Sequence, residues 1–219
     1  MSAELRLAVL ISGQGSNLRA LIDATAADDF PAKIVMVISN KDDAPGLKHA
    51  EAADISTLII SRNTCSNHAD FEAEMTKAME HHNVHLVCLA GFMTLLSNHF
   101  VTHWYNRIIN IHPSLLPAFK GLDVHERAIN AGVKFTGCTV HYVRFKMDTG
   151  PIIIQAITPV ITGDKADSLA TRVLKQEHII YPLAVKWIAE GRILMDGERV
   201  IVSGAEPPMG VLINPEQCL

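Results

Sequence analysis

Short apolar runs alternate with amphipathic helical patterns through the first half of this 219-residue chain. Five apolar runs are predicted to be strands: Leu5–Ser12, Lys33–Ser39, Thr57–Ile60, Val84–Ala90 and Arg107–Asn110. The segments between them that carry the helical pattern are Asn17–Ala27, Ala44–Ala53 and His68–His81. Strands joined by helical crossovers run parallel, and helices then cover both faces of their sheet. The alternation therefore predicts an α/β fold with a Rossmann-like, mostly parallel twisted sheet.

The second half predicts an antiparallel strand pair, then a long helix and a closing hairpin turned by Asp196-Gly197. The bounds of these elements are Thr136–Val143 and Ile152–Thr158 for the pair, Ala166–Ala189 for the helix and Ile193–Val202 for the hairpin. Residues 204–219 contain three prolines and follow no helical or strand pattern. We therefore expect one domain over residues 1–203 and an irregular tail over 204–219.

Composition excludes several classes of protein. The net charge of −4 argues against a protein that grips nucleic-acid backbones. No apolar run is long enough to span a membrane, and residues 1–4 lack the basic start of a signal peptide. The cysteines contain no Cys-x-x-Cys pair and are predicted to be reduced thiols; they are Cys65, Cys88, Cys138 and Cys218. We expect a cytoplasmic protein, monomer or homodimer, with no nucleic-acid or membrane partner.

Three histidines near the end of a predicted helix could suggest a metal site. His81, His82 and His85 have no carboxylate or thiol companions and match no zinc spacing. We interpret them as solvated residues and predict no metal.

The segment from Asn110 to Gly150 contains the chain's most specific chemistry. Residues i and i+2 of an extended segment share a face, so Asn110 and His112 project to the same side, and Pro113 favours the extended backbone of His112. An amide donor, an imidazole and the later carboxylate of Asp148 are suited to catalysis at a carbonyl. The alternatives are ordinary: His112 and Asp148 as turn residues, and Asn110 as the end of a strand.

A glycine-containing loop follows the first predicted strand and opens the first predicted helix. Its residues are Gly13-Gln14-Gly15-Ser16-Asn17. A helix N-terminus offers free N–H groups and a positive dipole end, which suit one phosphate. The loop lacks both the Walker lysine and the third glycine of the dinucleotide pattern. The alternative is a tight turn in which Ser16 or Asn17 caps the helix.

Two other sites have ordinary alternatives from their patterns. Glu177, on the long helix, is typical of a solvated helical residue. Residues 93–96 are typical of core residues at the start of a helix, although they follow the carboxyl end of a strand, where α/β sheets bind ligands.

The motifs together resemble the formyltransferases that use 10-formyltetrahydrofolate, over roughly residues 5–193. The resemblance rests on these segments in order: Leu10–Leu18, Leu89–Met93, Asn110–Pro117, Gly137–Val143, Asp148–Pro151 and Gln176–Pro182. Within that family the likeness implies formyl transfer from 10-formyltetrahydrofolate to the amine of glycinamide ribonucleotide, in purine synthesis. It also implies that residues 1–110 form a nucleotide-binding half and residues 111–203 a folate-cleft half.

The resemblance assigns a role to each site residue. It implies that Asn110, His112 and Asp148 are catalytic. It places the ribonucleotide phosphate on Gly15, Ser16 and Asn17, and its amine near Glu177. The folate is placed by the same likeness against the following residues: His68, Met93, Thr94, Leu95, Leu96 and Asn110.

The chain departs from the family pattern in three places. The family commonly has arginine at the positions of Thr94 and His68, and acidic residues in the loop that here contains Phe145-Lys146. Because a hydroxyl or a neutral imidazole cannot form a bidentate pair with a carboxylate, we expect only weak binding of the glutamate tail of the folate.

Two alternative functions remain open at this point. A formyltetrahydrofolate deformylase or a methionyl-tRNA formyltransferase would use the same three catalytic residues. The tRNA enzyme would be expected to carry a further tRNA-binding domain, whereas this acidic chain ends soon after its predicted hairpin. The deformylase would be expected to carry a regulatory domain before the catalytic one, whereas the first predicted strand here starts at Leu5. A non-catalytic Rossmann-type nucleotide-binding module would have no need for Asn110, His112 and Asp148 together.

Overall fold

The computed structural model describes residues 4–62 and 65–215. Its strands are β1 Leu5–Ile11, β2 Ala32–Ser39, β3 Thr57–Ile59, β4 Leu86–Leu89, β5 Ile108–His112, β6 Phe135–Tyr142, β7 Ile152–Pro159, β8 Ile193–Asp196 and β9 Arg199–Val202. Its helices are α1 Ser16–Thr25, α2 Leu47–Ala52, α3 His68–His81, α4 Asn98–His103, α5 Val124–Asn130 and α6 Ala166–Ala189.

Strands β1–β7 form one sheet in the order β3-β2-β1-β4-β5-β6-β7. Neighbouring strands from β3 through β5 are parallel, whereas β6 pairs antiparallel with both β5 and β7. The predicted fold class is therefore confirmed. The strand order reverses between β1 and β4, and the crevice outside the carboxyl ends of strands at such a point is where α/β sheets bind ligands.

Two apolar layers hold the helices against the sheet. On one face, α1 and α6 pack on the sheet through residues such as Leu18 and Val185, both fully buried. On the other face, Phe71 of α3 and Phe100 of α4 are buried with Trp104. Burial of one such large apolar side chain contributes about 1.5–3 kcal/mol. These layers hold the sheet in place and thereby set the positions of the loops at its carboxyl edge.

Local boundaries differ from the predictions for identifiable reasons. Strand β5 continues to His112 because His112 pairs with Thr139 of β6. Helix α2 begins at Leu47 rather than Ala44, since a proline at position 45 disfavours helical backbone at the residue before it. The hairpin turns at Gly197-Glu198, because Asp196 and Arg199 pair across it. Short helices α4 and α5 had no predicted counterpart.

The described part of the tail, residues 204–215, contains no helix or strand. Cys88 and Cys138 are buried free thiols, and Cys65 is partly exposed; Cys218 lies outside the described residues. Within residues 4–62 and 65–215, no helix has the length and apolar character needed to cross a bilayer.

Candidate active site

A cavity of about 490 Å³ opens at the carboxyl ends of β4 and β5. This volume is in the range of small-molecule sites. Asn110 and His112 both line it from β5, as their spacing predicts, and Asp148 reaches it from the loop between β6 and β7. The structure therefore brings together the three residues for which the sequence suggests catalysis, and their catalytic role stays a prediction.

The imidazole of His112 lies between two hydrogen-bond acceptors. Its Nε2 is 3.0 Å from the carbonyl oxygen of Phe119, and its Nδ1 is 3.6 Å from Oδ2 of Asp148. Carbonyl and carboxylate oxygens only accept, so each ring nitrogen faces a group that favours an N–H. Since His112 is only 6% exposed, water screens these contacts weakly. Both ring nitrogens of His112 are therefore placed beside acceptor oxygens.

Asp148 lies in the left-handed region of backbone space, with a φ of 50°. Aspartate is one of the few residues other than glycine that enter this region routinely. Its Oδ2 accepts a hydrogen bond of 2.9 Å from the N–H of Gly121, and its Oδ1 lies 3.8 Å from Nε2 of His141. The loop between β6 and β7 thus directs one largely buried carboxylate between the rings of His112 and His141.

The structure adds two histidines that the sequence analysis missed. His141 is 2% exposed and lies directly opposite Asn110 in the β5–β6 ladder, with 3.3 Å between its Nε2 and the Nδ2 of Asn110. His125 lines the cavity from α5; burial lowers its pKa, and the nearby charge of His112 lowers it further. His141 could have been found only from the pairing register of β5 and β6, which places it opposite Asn110. A single sequence does not show that register.

The loop after β1 holds Gly15 in a left-handed conformation, with a φ of 70°, directly before α1. A Cβ on Gly15 would lie 2.6 Å from the Cα of Gly46, so no other residue fits. Among the described side chains none caps the start of α1, and the alternative in which Ser16 or Asn17 is the cap is wrong. The first turn of α1 is therefore available for an anion at the carboxyl end of β1.

Glu177 is buried, at 6% exposure, and the interpretation as a solvated residue is wrong. Its Oε2 accepts a hydrogen bond of 2.6 Å from Nδ2 of Asn17. Burial raises the pKa of Glu177, and the hydrogen bond from Asn17 opposes that shift. Oδ1 of Asn17 is buried without a partner in the described structure. Neither residue lines the 490 Å³ cavity, so they form a second polar site next to the Gly15 loop.

Residues 91–97 form an irregular segment between β4 and α4, so the prediction that residues 93–96 start a helix is wrong. Met93 and Leu95 line the cavity and are 69% and 71% exposed. Leu96 also lines it. Thr94 lines it too, while its Oγ1 accepts a hydrogen bond of 2.8 Å from Nδ2 of Asn40. The four residues form one wall of the cavity, and we call residues 91–97 the wall segment.

His68 is not among the residues that line this cavity. It is the first residue of α3, with its Nε2 3.1 Å from Oε1 of the buried Glu72. A folate contact at His68 stays a prediction.

The histidines of the α3–β4 connection have separate partners. Nδ1 of His82 donates to the carbonyl oxygen of Ala78 at 2.9 Å, and Nδ1 of His85 accepts from the N–H of Arg6 at 3.3 Å. In the part of the chain that the structure describes, no group of three or more His, Cys, Asp or Glu side chains could hold a metal ion.

Comparisons with known proteins agree on one family. Residues 5–185 match the formyl transferase family. The chain is 41% identical over 207 residues to phosphoribosylglycinamide formyltransferase of Escherichia coli (strain K12), covering 94% of this chain and 98% of that protein. It is 48% identical over 188 residues to the trifunctional purine biosynthetic protein adenosine-3 of Bos taurus, covering 86% of this chain but only 19% of that much longer protein.

A solved structure has the same fold over nearly the whole chain. Glycinamide ribonucleotide transformylase 1 from Symbiobacterium toebii superposes with a TM-score of 0.90 at 42% sequence identity, covering 93% of this chain and 96% of that one. The family match covers well over half of the described sequence. The chain belongs to the formyl transferase family.

Proposed function

We propose that this enzyme transfers the formyl group of 10-formyltetrahydrofolate to the amine of glycinamide ribonucleotide in purine biosynthesis. The observation that carries the proposal is the convergence of Asn110, His112 and Asp148 in one cavity. The bacterial relative of matching length, whose name contains this activity, supports the choice of substrate. We further propose a cytoplasmic enzyme, monomer or homodimer, whose partners are small molecules.

The three residues have complementary tasks in the proposed reaction. As the amine attacks the formyl carbon, a C–N bond forms and the carbonyl oxygen gains negative charge. The Asn110 amide and the protonated His112 donate to that oxygen, where one preorganised donor is worth about 3–4 kcal/mol. Asp148 stabilises the imidazolium. The bond from the formyl carbon to N10 of the folate then breaks, and the proton lost by the amine is passed to N10 through His112 and Asp148.

The ribonucleotide is proposed to bind beside this cavity. Gly15, Ser16 and Asn17 would hold its phosphate at the N-terminus of α1. Glu177 would accept a hydrogen bond from its amine, and the unpartnered Oδ1 of Asn17 could accept another. The buried carboxylate is poorly satisfied without a ligand, since only Asn17 donates to it among the hydrogen bonds of the described residues.

The folate is proposed to lie in the 490 Å³ cavity. Met93, Leu95 and Leu96 offer apolar surface to a flat ring, which fits the mostly apolar lining of small-molecule sites. Asn110 also lines this cavity, and we place the formyl group beside its amide. Thr94 and His68 already have partners in Asn40 and Glu72, which supports the expectation that the glutamate tail is held weakly.

The first prediction tests the proposed function directly. Purified protein should transfer formyl from 10-formyltetrahydrofolate to glycinamide ribonucleotide without added metal or ATP, because each step above uses only protein groups. The measurement is the absorbance change of a folate analogue with and without the ribonucleotide. Cofactor turnover that is equally fast without the amine would favour the deformylase, and full function after His112→Ala would favour the non-catalytic module.

A second prediction concerns Glu177. Because burial raises its pKa, the folded state resists ionisation, and the ionised carboxylate lowers folding stability as pH rises through that pKa. Glu177→Gln should therefore raise the Tm at pH 8, with the gain shrinking as pH falls. It should also raise the KM for the ribonucleotide roughly tenfold, since a charge-assisted hydrogen bond becomes a neutral one.

The matched control is Glu51→Gln, the same change at an exposed residue of α2. Calorimetry across pH and steady-state kinetics measure the two effects. A Glu177→Gln variant with unchanged KM would remove Glu177 from the proposed ribonucleotide site.

A further inference from the structure

His141 has a specific hydrogen-bond partner at each ring nitrogen. Its Nδ1 is 2.9 Å from the backbone carbonyl oxygen of Tyr142, and its Nε2 is 3.3 Å from Nδ2 of Asn110. The side chain is buried in strand β6 at 2% exposure. Both contacts are therefore made in a site that little water reaches.

The contact with Tyr142 determines the tautomer of the ring. A carbonyl oxygen can only accept, so Nδ1 must carry a hydrogen. The pKa of His141 is lowered overall: burial lowers it most, the Tyr142 carbonyl and Asp148 raise it, and the charges of His112 and Lys120 lower it. The lowered pKa favours a neutral ring, and the contact with Tyr142 places its one hydrogen on Nδ1, which leaves Nε2 bare.

A bare Nε2 is an acceptor, and this constrains Asn110. The amide of Asn110 must present its –NH₂ to the ring, because its carbonyl oxygen would face a lone pair. One N–H then points at His141, and the second N–H remains for a ligand in the cavity that Asn110 lines. Rotation of the amide by half a turn would exchange donor and acceptor, and the contact with His141 opposes it.

We propose that His141 is a positioning residue that holds the Asn110 amide in the orientation that donates to the formyl oxygen. The inference rests on the proposed function for its kinetic consequence, but the orientation itself does not depend on any substrate. His141 acts through Asn110 rather than through Asp148, whose nearest oxygen is farther away at 3.8 Å.

The tautomer can be measured on the ligand-free enzyme. Long-range ¹H–¹⁵N correlation spectra of the wild type should show a neutral His141 that is protonated at Nδ1. A ring protonated at Nε2, or doubly protonated near pH 7, overturns the proposal. Because this measurement needs no substrate, its failure is distinct from a failure of the wild type to transfer formyl, which would overturn the proposed function instead.

Kinetics test whether His141 acts through Asn110. His141→Leu removes the acceptor and should lower kcat roughly 10- to 100-fold, with little change in either KM, since a misdirected donor loses part of its effect. His141→Gln should recover most of this loss, because Oε1 of glutamine can accept near the original Nε2 position. Thermal unfolding of both variants reports any general loss of structure.

A double-mutant cycle gives the deciding result. In an Asn110→Ala background, His141→Leu should cost less than about threefold in single-turnover rate, because the amide that it positions is gone. A full additional loss in that background overturns the proposal and indicates a direct role. If the rate loss caused by His141→Leu disappears in an Asp148→Asn background but persists in the Asn110→Ala background, the proposal is overturned, and His141 acts through Asp148 instead. Should His141→Leu fail to fold, His141→Ala, which also removes the acceptor, takes its place in both backgrounds, and the tautomer measured on the wild type still tests the proposal.

Discussion

Asp148→Asn is expected to lower kcat by about two to four orders of magnitude, the range that general acid–base catalysis contributes. The substitution removes the negative charge 3.6 Å from His112. The protonated imidazole then loses the carboxylate that stabilises it, and the proton lost by the amine loses the carboxylate that would accept it. The backbone should be undisturbed, because asparagine also accepts the left-handed conformation of residue 148. The new side chain can still accept from the N–H of Gly121.

Steady-state and single-turnover rates measure this effect, and Asp28→Asn is the matched control, the same change at an exposed residue far from the cavity. We expect that control to match the wild type. Near wild-type turnover by Asp148→Asn, with an unchanged Tm, would exclude the proposed role of the Asp148 charge.

Gly150→Ala is expected to have the largest effect on stability. A Cβ at residue 150 would lie 1.7 Å from the carbonyl oxygen of Tyr142, a backbone atom that cannot move aside alone. The clash falls beside the hydrogen bond from the N–H of Tyr142 to the carbonyl oxygen of Pro151. The expected cost is about 3 kcal/mol or more, the upper end for overpacking. This corresponds to a fall in Tm of roughly 6–12 °C for a chain of this size.

Activity should fall with stability in this variant, because the same strand opening displaces the loop that carries Asp148. Gly13→Ala is the control, since a Cβ there would meet no atom within 4 Å. Differential scanning calorimetry of both variants provides the comparison. Equal Tm values for Gly150→Ala and the wild type would mean that the two strands are not packed as tightly as described.

The parallel part of the sheet could be predicted because its strands are apolar on both faces and separated by helical segments. That pattern is local, and it placed β1, which leads into the Gly15 loop, and β4, which leads into the cavity, within a few residues. The end of β5 could not be predicted to include His112, because the strand is extended by pairing with Thr139, a contact between distant segments. The irregular backbone of residues 91–97 was missed for a related reason: its apolar side chains line a cavity rather than a helix face.

The candidate site was predictable to a similar degree. Asn110, His112 and Asp148 were found because the sequence itself shows two polar residues at i and i+2 before a proline, and an aspartate in a turn-forming segment. Glu177 could be singled out only by resemblance, since its burial depends on the packing of α6 against α1. His141 had no signal in the chain itself, because its partner is chosen by the register of β5 and β6.

The wall segment is anchored at both ends to other parts of the molecule. The N–H of Met93 donates to Oγ of Ser12 at 2.8 Å, and at the other end Glu72 accepts from both the N–H, at 2.6 Å, and the hydroxyl of Ser97. Neither anchor uses the side chain of residue 93, 94, 95 or 96. Evolution can therefore exchange those side chains without disturbing the path of the backbone behind them. Family members that differ at position 94 can therefore differ in how they hold the glutamate tail of the folate, while they share the same chemistry at the formyl group.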